Sequence, residues 1–213
     1  MIRGAYRTDL RARAAYAEGA GIYRILPAAV ARPADIADLG DLVRHAVANG
    51  VGLIPRGAGS GMAGGNVGSG VIVDLTGLAE RPLEVDPGQR TLRAGTQVSL
   101  AEMNAAATAH GLRIPPDPSS GGWATTGGVI GTNASGPRTL KHGSVREWVT
   151  ELELLGTDGR VRRVSRGEPA PPQLDQAIRA AAREIDTRFP KVRKNSTGYA
   201  LDHYLRTGDL VDL

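Results

Sequence analysis

Apolar residues recur at helical spacing between Asp35 and Gly50. Ile36, Leu39, Val43, Ala46 and Val47 fall on one stripe. Asp35 suits the N-cap, Asp38 favours the positive end of the helix, and Gly50 is placed to end it. Short apolar runs flank this segment at 25–31 and 51–55 and read as strands, so the β–α–β unit predicts a parallel pair. A third run, Val71-Ile-Val-Asp-Leu, reads as another buried strand. Residues 1–24, rich in arginine and alanine, predict a short helix and a lead-in.

Further on, 83–86 and 91–94 flank the turn Asp86-Pro-Gly-Gln and predict a hairpin. Ser99 and Glu102 have the spacing of a capping box, Val98 and Met103 that of a hydrophobic staple, and Gly111 closes the helix they begin. A second hairpin is expected from 149–155 and 160–165 around Thr157-Asp-Gly. Residues 173–188 predict one helix with Leu174, Ile178 and Ile185 inward. The pattern as a whole is that of an α+β chain.

Composition changes this picture at one point. Glycine occurs 29 times in 213 residues and gathers at 57–70 and 121–143, each block bounded by apolar segments. Glycine gathered between strands marks tight turns or close approach of backbone to a ligand. Cysteine is absent, which excludes disulfides and thiol chemistry. The four histidines show no metal-ligand spacing, so no metal site is expected. The net charge of +4 is scattered, with 4% aromatic residues and no basic stripe, so no nucleic-acid partner is expected. Neither a membrane-length apolar run nor a signal-like N-terminus is found, and a cytoplasmic protein is expected.

Gly59, Gly61 and Gly64 spell the GxGxxG of a dinucleotide fold, but that motif must open a helix, and no helix fits before the strand at Val71. A strand–loop–strand of this kind is either a plain surface loop or an anion site, in which the N–H groups of 57–61 curl into a nest and Ser60 adds a hydroxyl. The second block offers Ser119, Ser120, Thr125, Thr126, Asn133 and Ser135 to a ligand with many polar edges.

Taken as a set, Pro55-Arg-Gly-Ala-Gly-Ser-Gly-Met-Ala-Gly-Gly, Val71-Ile-Val-Asp-Leu, Pro115-Pro-Asp-Pro-Ser-Ser, Thr126-Gly-Gly-Val-Ile-Gly-Thr-Asn-Ala-Ser-Gly, Lys141-His-Gly and Lys194-Asn-Ser-Thr-Gly-Tyr-Ala-Leu resemble the FAD-binding domain of the vanillyl-alcohol oxidase (PCMH) type. The likeness is greatest to FAD-linked oxidases of D-lactate, glycolate and D-2-hydroxyglutarate. The resemblance implies two lobes: a lead-in at 1–26, a small β-α-β lobe at 27–97, and a larger mixed or antiparallel lobe with helices at 98–213 that is incomplete at its C-terminus. It implies that Arg56, Gly57, Ala58, Gly59, Ser60 and Gly61 wrap the FAD pyrophosphate. Pro118, Ser119, Ser120, Thr125, Gly127 and Gly128 would line the diphosphate and ribityl region. Asn133, Ala134, Ser135 and Gly136 would run beside the flavin ring, with His142 and Gly143 nearby. Ser60 stands where relatives that tether FAD carry histidine, so the FAD is expected to be non-covalent. The implied reaction is hydride transfer from a small 2-hydroxy acid to the flavin. The alternative is a flavin-binding module without catalysis of its own. The catalytic residues are unknown from this chain, because the likeness stops before the substrate cap. The lead-in Tyr16-Ala-Glu-Gly-Ala-Gly-Ile-Tyr further resembles long bacterial members that carry an iron–sulfur module, so a downstream cap and such a module are the expected partners.

Overall fold

A computed structural model describes residues 2–192, 195 and 198–213; four residues of the Lys194–Leu201 match and its approach, Arg193, Lys194, Ser196 and Thr197, lie outside the described residues. The chain opens with a strand, β1 (Ala5–Arg7), followed by helix α1 (Leu10–Ala15). The lead-in therefore contributes a strand as well as the expected helix. β1 pairs antiparallel with β2 (Ala29–Arg32) and is exposed along all three residues, so it carries no alternation to betray it.

Helix α2 (Ile36–Ala48) follows, with Asp35 accepting from the Asp38 N–H at 2.8 Å and Gly50 at φ +65° just past its end. Val47 is exposed, and Leu42 takes the buried place instead. Asp38 does more than favour the helix dipole. It is 1% exposed, and its carboxylate accepts from the backbone of Arg3, Gly4 and Ala34 at 2.6–2.8 Å, tying the N-terminus to the helix.

β3 (Leu53–Arg56) and β4 (Val71–Asp74) complete a four-stranded sheet in the order β1-β2-β4-β3. The strands on either side of α2 run in the same direction, as expected, but do not touch. β4 lies between them, with Ile72 opposite Val30 on one side and Ile54 on the other. All four of its residues are buried, which suits a central parallel strand covered on both faces. Ala29, Ala31, Val71 and Val73 pack with Leu42 to form the core of this part.

The hairpin of β5 (Leu83–Asp86) and β6 (Thr91–Ala94) forms as expected, and so does helix α3 (Leu100–Thr108) with its capping box. The second glycine block is not irregular throughout. It contains α4 (Thr126–Gly131) and α5 (Thr139–His142), and a 3-10 turn (Val145–Trp148) follows. The hairpin of β7 (Glu151–Leu155) and β8 (Val161–Ser165) pairs in register Glu153↔Arg163. The helix expected over 173–188 is two, α6 (Pro172–Ala180) and α7 (Ala182–Arg188), parted at Ala181. Ile178 and Ile185 are buried, but Leu174 is exposed. α8 (Leu201–Thr207) was not foreseen. Its Tyr204 is fully buried, accepting from the Ala170 N–H at 3.1 Å and donating to Asp175 at 2.8 Å. Among the described residues no helix is long and apolar enough to cross a membrane.

Candidate functional site

The first glycine loop leaves the sheet at the carboxyl end of β3, on the side where open α/β sheets place their ligands. Among the described residues, none of the N–H groups of 57–61 donates to a protein acceptor. Gly59 adopts φ +72°, which lets those amides turn toward one side. The loop thus presents unpaired donors on a backbone free of side-chain bulk.

The two glycine blocks meet. Gly57 lies against Thr125, so closely that a Cβ at 57 would come within 2.1 Å of the Thr125 hydroxyl. Behind Thr125, residues 96–100 pair with 124–127: Gly127 N–H donates to Thr96 O at 2.9 Å, Thr126 N–H to Val98 O at 2.8 Å, and Leu100 N–H to Ala124 O at 2.9 Å. These bonds, with the packing of Ala124, Val129 and Val145, hold a six-residue helix containing three glycines.

The rest of the second block folds back on itself. Gly136 lies against the Asp117 carbonyl, where a Cβ would come within 1.9 Å, and Arg138 pairs with the Asp117 carboxylate at 3.4 Å. Pro118 and Ser119, with Leu100, Ala101 and Asn104, line a cleft of about 390 Å³ at the start of α3. Asn133 takes φ +44° and accepts from the Arg146 N–H at 2.9 Å, while Ala134 O accepts from Val145 N–H at 3.0 Å. The segment 133–136 is therefore fixed from both ends.

His142 and Gly143 pack against the 3-10 turn. The His142 carbonyl accepts from the Trp148 indole at 2.7 Å, with the two rings edge-on at 6.2 Å, and Gly143 lies against the Glu147 carboxylate. Val145 and Arg146 of that turn also bond Ala134 and Asn133, so the turn joins the pair to the 133–136 segment.

Two observations test whether a flavin nucleotide fits. The hydroxyls of Ser60, Ser119, Ser120 and Ser135 make no hydrogen bond among the described residues. Gly65, Gly122 and Gly131 have neither a positive φ nor a neighbour within 4 Å of an added Cβ, so nothing in the chain itself requires glycine there. Unpaired amides and hydroxyls beside unobstructed glycine backbone match a phosphate-bearing ligand with many polar edges.

Tyr16 and Asp74, beneath the first loop, were not singled out from the sequence, and the side chain of Arg56 joins them. The Arg56 guanidinium turns inward, donating to Tyr16 O and Asn66 O at 3.3 Å and stacking 5.3 Å over the Tyr16 ring. The Tyr16 hydroxyl donates to Asp74 at 2.5 Å. Asp74 also accepts from the Thr76 N–H at 2.9 Å and hydroxyl at 2.6 Å and faces Arg32 at 3.1 Å. Burial pushes the Tyr16 phenol up to about 12, and the Asp74 charge adds to the shift. Burial by itself would raise the Asp74 carboxyl, but the bonds from Thr76 and Tyr16 and the Arg32 cation outweigh it and hold the group below the usual carboxylate range. A carboxylate ending the apolar run Val71-Ile-Val-Asp was the signal available in the sequence.

The comparisons with known proteins agree with this geometry. An FAD binding domain matches residues 27–165. A D-2-hydroxyglutarate dehydrogenase of Pseudomonas putida is 32% identical over 221 residues, covering 95% of this chain and 22% of the relative. A D-lactate dehydrogenase of Archaeoglobus fulgidus is 33% identical over 178 residues, covering 83% and 34%. The chain spans only about a fifth to a third of the length of these relatives. Among solved structures, 6-hydroxy-D-nicotine oxidase from Arthrobacter nicotinovorans superposes with a TM-score of 0.65 at 23% identity, over 85% of this chain and 40% of that one. The two-lobed α+β architecture of such oxidases is thereby matched, and the chain belongs to the FAD-binding domain family.

Proposed function

We propose that this chain forms the FAD-binding part of an oxidoreductase acting on a small 2-hydroxy acid. The observation that carries the reading is the meeting of two glycine blocks, the first with amides at 57–61 and both with serine hydroxyls that have no partner among the described residues. The nest at 57–61 binds the pyrophosphate, and Gly57 against Thr125 sets the distance between the two loops. Pro118, Ser119, Ser120, Gly127 and Gly128 flank the diphosphate and ribityl chain. Asn133, Ala134, Ser135 and Gly136 form a wall for the ring, held in place through Arg146 and Val145. Bound FAD supplies an acceptor for a hydride from the acid's α-carbon; the residues of this chain bind the cofactor, orient it and keep water from one side of it. Ser60 cannot form a tether, so the cofactor is held without a covalent bond. The names of the dehydrogenase relatives support a 2-hydroxy acid as substrate. The pairing groups for its carboxylate and hydroxyl lie outside the two loops.

Titration of the purified chain with FAD, followed by flavin fluorescence, tests the reading. Saturable binding is expected, and Gly59→Val should weaken it by about 100-fold or more while far-UV circular dichroism stays unchanged, because a β-branched residue is poorly tolerated at positive φ. Anaerobic addition of D-lactate, glycolate or D-2-hydroxyglutarate to the loaded chain is expected to leave the flavin oxidised. Equal FAD affinity in Gly59→Val would remove the loop from the site, and rapid bleaching would put the substrate groups within these residues.

A further inference from the structure

Residues 16–26 lie across the first glycine loop. Ala20 N–H donates to Gly59 O at 3.0 Å, and the segment is closed on itself by Ile25 N–H to Ala17 O at 2.9 Å and by a bridge between Glu18 and Arg24. The approach is close because glycines stand at the contacts. A Cβ at Gly21 would come within 2.4 Å of the Met62 carbonyl, and one at Gly19 within 2.6 Å of the Asn66 amide oxygen and 3.0 Å of Gly59 O. From the loop's side, Gly64 lies under the Tyr23 ring, where a Cβ would come within 2.6 Å. At the base of the segment, Tyr16 receives Arg56 on its carbonyl and its ring face and gives its hydroxyl to Asp74. Arg56 and Asp74 are opposite one another at the ends of β3 and β4, the strands between which the loop runs.

We propose that residues 16–24 form a strap that fixes the glycine loop in its binding shape, with Tyr16 as the positioning residue that clamps the ends of β3 and β4 through Arg56 and Asp74. The inference rests on the pyrophosphate reading of the loop given above. A loop of fourteen residues, 57–70, with seven glycines has a large conformational entropy to lose when it closes on a ligand. The strap takes up that loss in the free chain. It acts on the outer side of the loop, through the Gly59 carbonyl, and leaves the amides of 57–61 free to donate. Tyr16 touches no part of the proposed ligand surface and works through its neighbours alone.

The experiment uses the whole chain without FAD and then with it. Amide hydrogen exchange is followed at Ala20 and Val67, whose N–H groups donate to Gly59 O and Gly64 O, in the wild type, in Tyr16→Phe, which keeps the ring over Arg56 and loses the bond to Asp74, and in Gly21→Ala, which forces the strap away from Met62. Gly52→Ala, with nothing within 4 Å of the added Cβ, serves as the control. Both strap variants should exchange faster at Ala20 and Val67, while Ile72 and Val73 stay protected, and should bind FAD about tenfold more weakly. Unchanged exchange at Ala20 and Val67 in both overturns the proposal, as does faster exchange with unchanged FAD affinity. A wild-type chain that takes up no FAD defeats the cofactor reading and the strap's service to it, and the exchange data without ligand still report the strap's hold on the loop.

Discussion

Tyr16 joins Arg56 to Asp74 across the ends of β3 and β4, and its ionisation offers a direct handle on that link. Its phenol is displaced upward, from an ordinary 10 to about 12. The neutral form is therefore favoured in the folded chain. The contribution is fully present below pH 10 and is lost as the pH rises from 10 through about 12, because the unfolded chain can release the proton first. In urea denaturation at increasing pH, the wild type should lose its advantage over Tyr16→Phe across that interval. A constant gap between the two proteins up to pH 12 would show that the phenol's ionisation is not linked to folding. None of this was visible in the residue's surroundings in sequence, where Tyr16 is one of several polar and aromatic residues in the lead-in. Its partners Asp74 and Arg56 lie 58 and 40 positions away.

Elements were legible where a local rule sufficed. The cap at Asp35, the turn of β5–β6 and the box at Ser99 each use groups within a few residues, and each forms as the sequence indicates. α4 could not be read this way. Its sequence, Thr-Gly-Gly-Val-Ile-Gly, disfavours a helix by about 1 kcal/mol per glycine, and bonds to Thr96 and Val98 overrule that preference. α8 was hidden because its one fully buried side chain, Tyr204, carries a hydroxyl whose partners belong to other elements. The box at α3 also allows a measurement. Ser99 accepts from the Glu102 N–H at 3.2 Å, and the Glu102 carboxylate accepts from the Ser99 N–H and hydroxyl at 2.8 Å. Arg81, and then these bonds, hold the Glu102 carboxyl down at about 2. Ser99→Ala should destabilise the chain by about 1 kcal/mol in urea denaturation at neutral pH. No change in the midpoint would mean that the helix start is held by the pairing of Leu100 with Ala124 alone.

At the scale of the molecule, the sheet order was beyond the sequence, because which strand sits between two others is decided by distant pairing and not by any local pattern. Only the uniformly apolar Val71-Ile-Val hinted that β4 would be central. The proposed site, by contrast, shows in the sequence as two glycine blocks, and what the sequence did not reveal was the contact that joins them, Gly57 with Thr125. The proposed site is built from backbone and serine and contains no cysteine or tethering histidine, so its cofactor should leave when the chain unfolds. Acid precipitation of the loaded protein is expected to leave the flavin colour in the supernatant; colour retained in a washed pellet would mean a covalent bond.

The position of β4 also has a consequence for synthesis. Among the described residues β3 pairs with β4 alone, and β2 finds its second neighbour there, yet β4 is the last of the four strands to be made. Until residue 74 has emerged, β3 has no partner and the helix before it has only half a sheet to cover. At roughly 5–20 residues per second, the eighteen residues from the end of β3 to the end of β4 hold the nascent chain in that condition for about one to four seconds. During that interval the unpaired backbone edge of β3 is open to other chains, and the polar glycine loop being made behind it, from which a trapping side chain is largely missing, is what separates it from its partner.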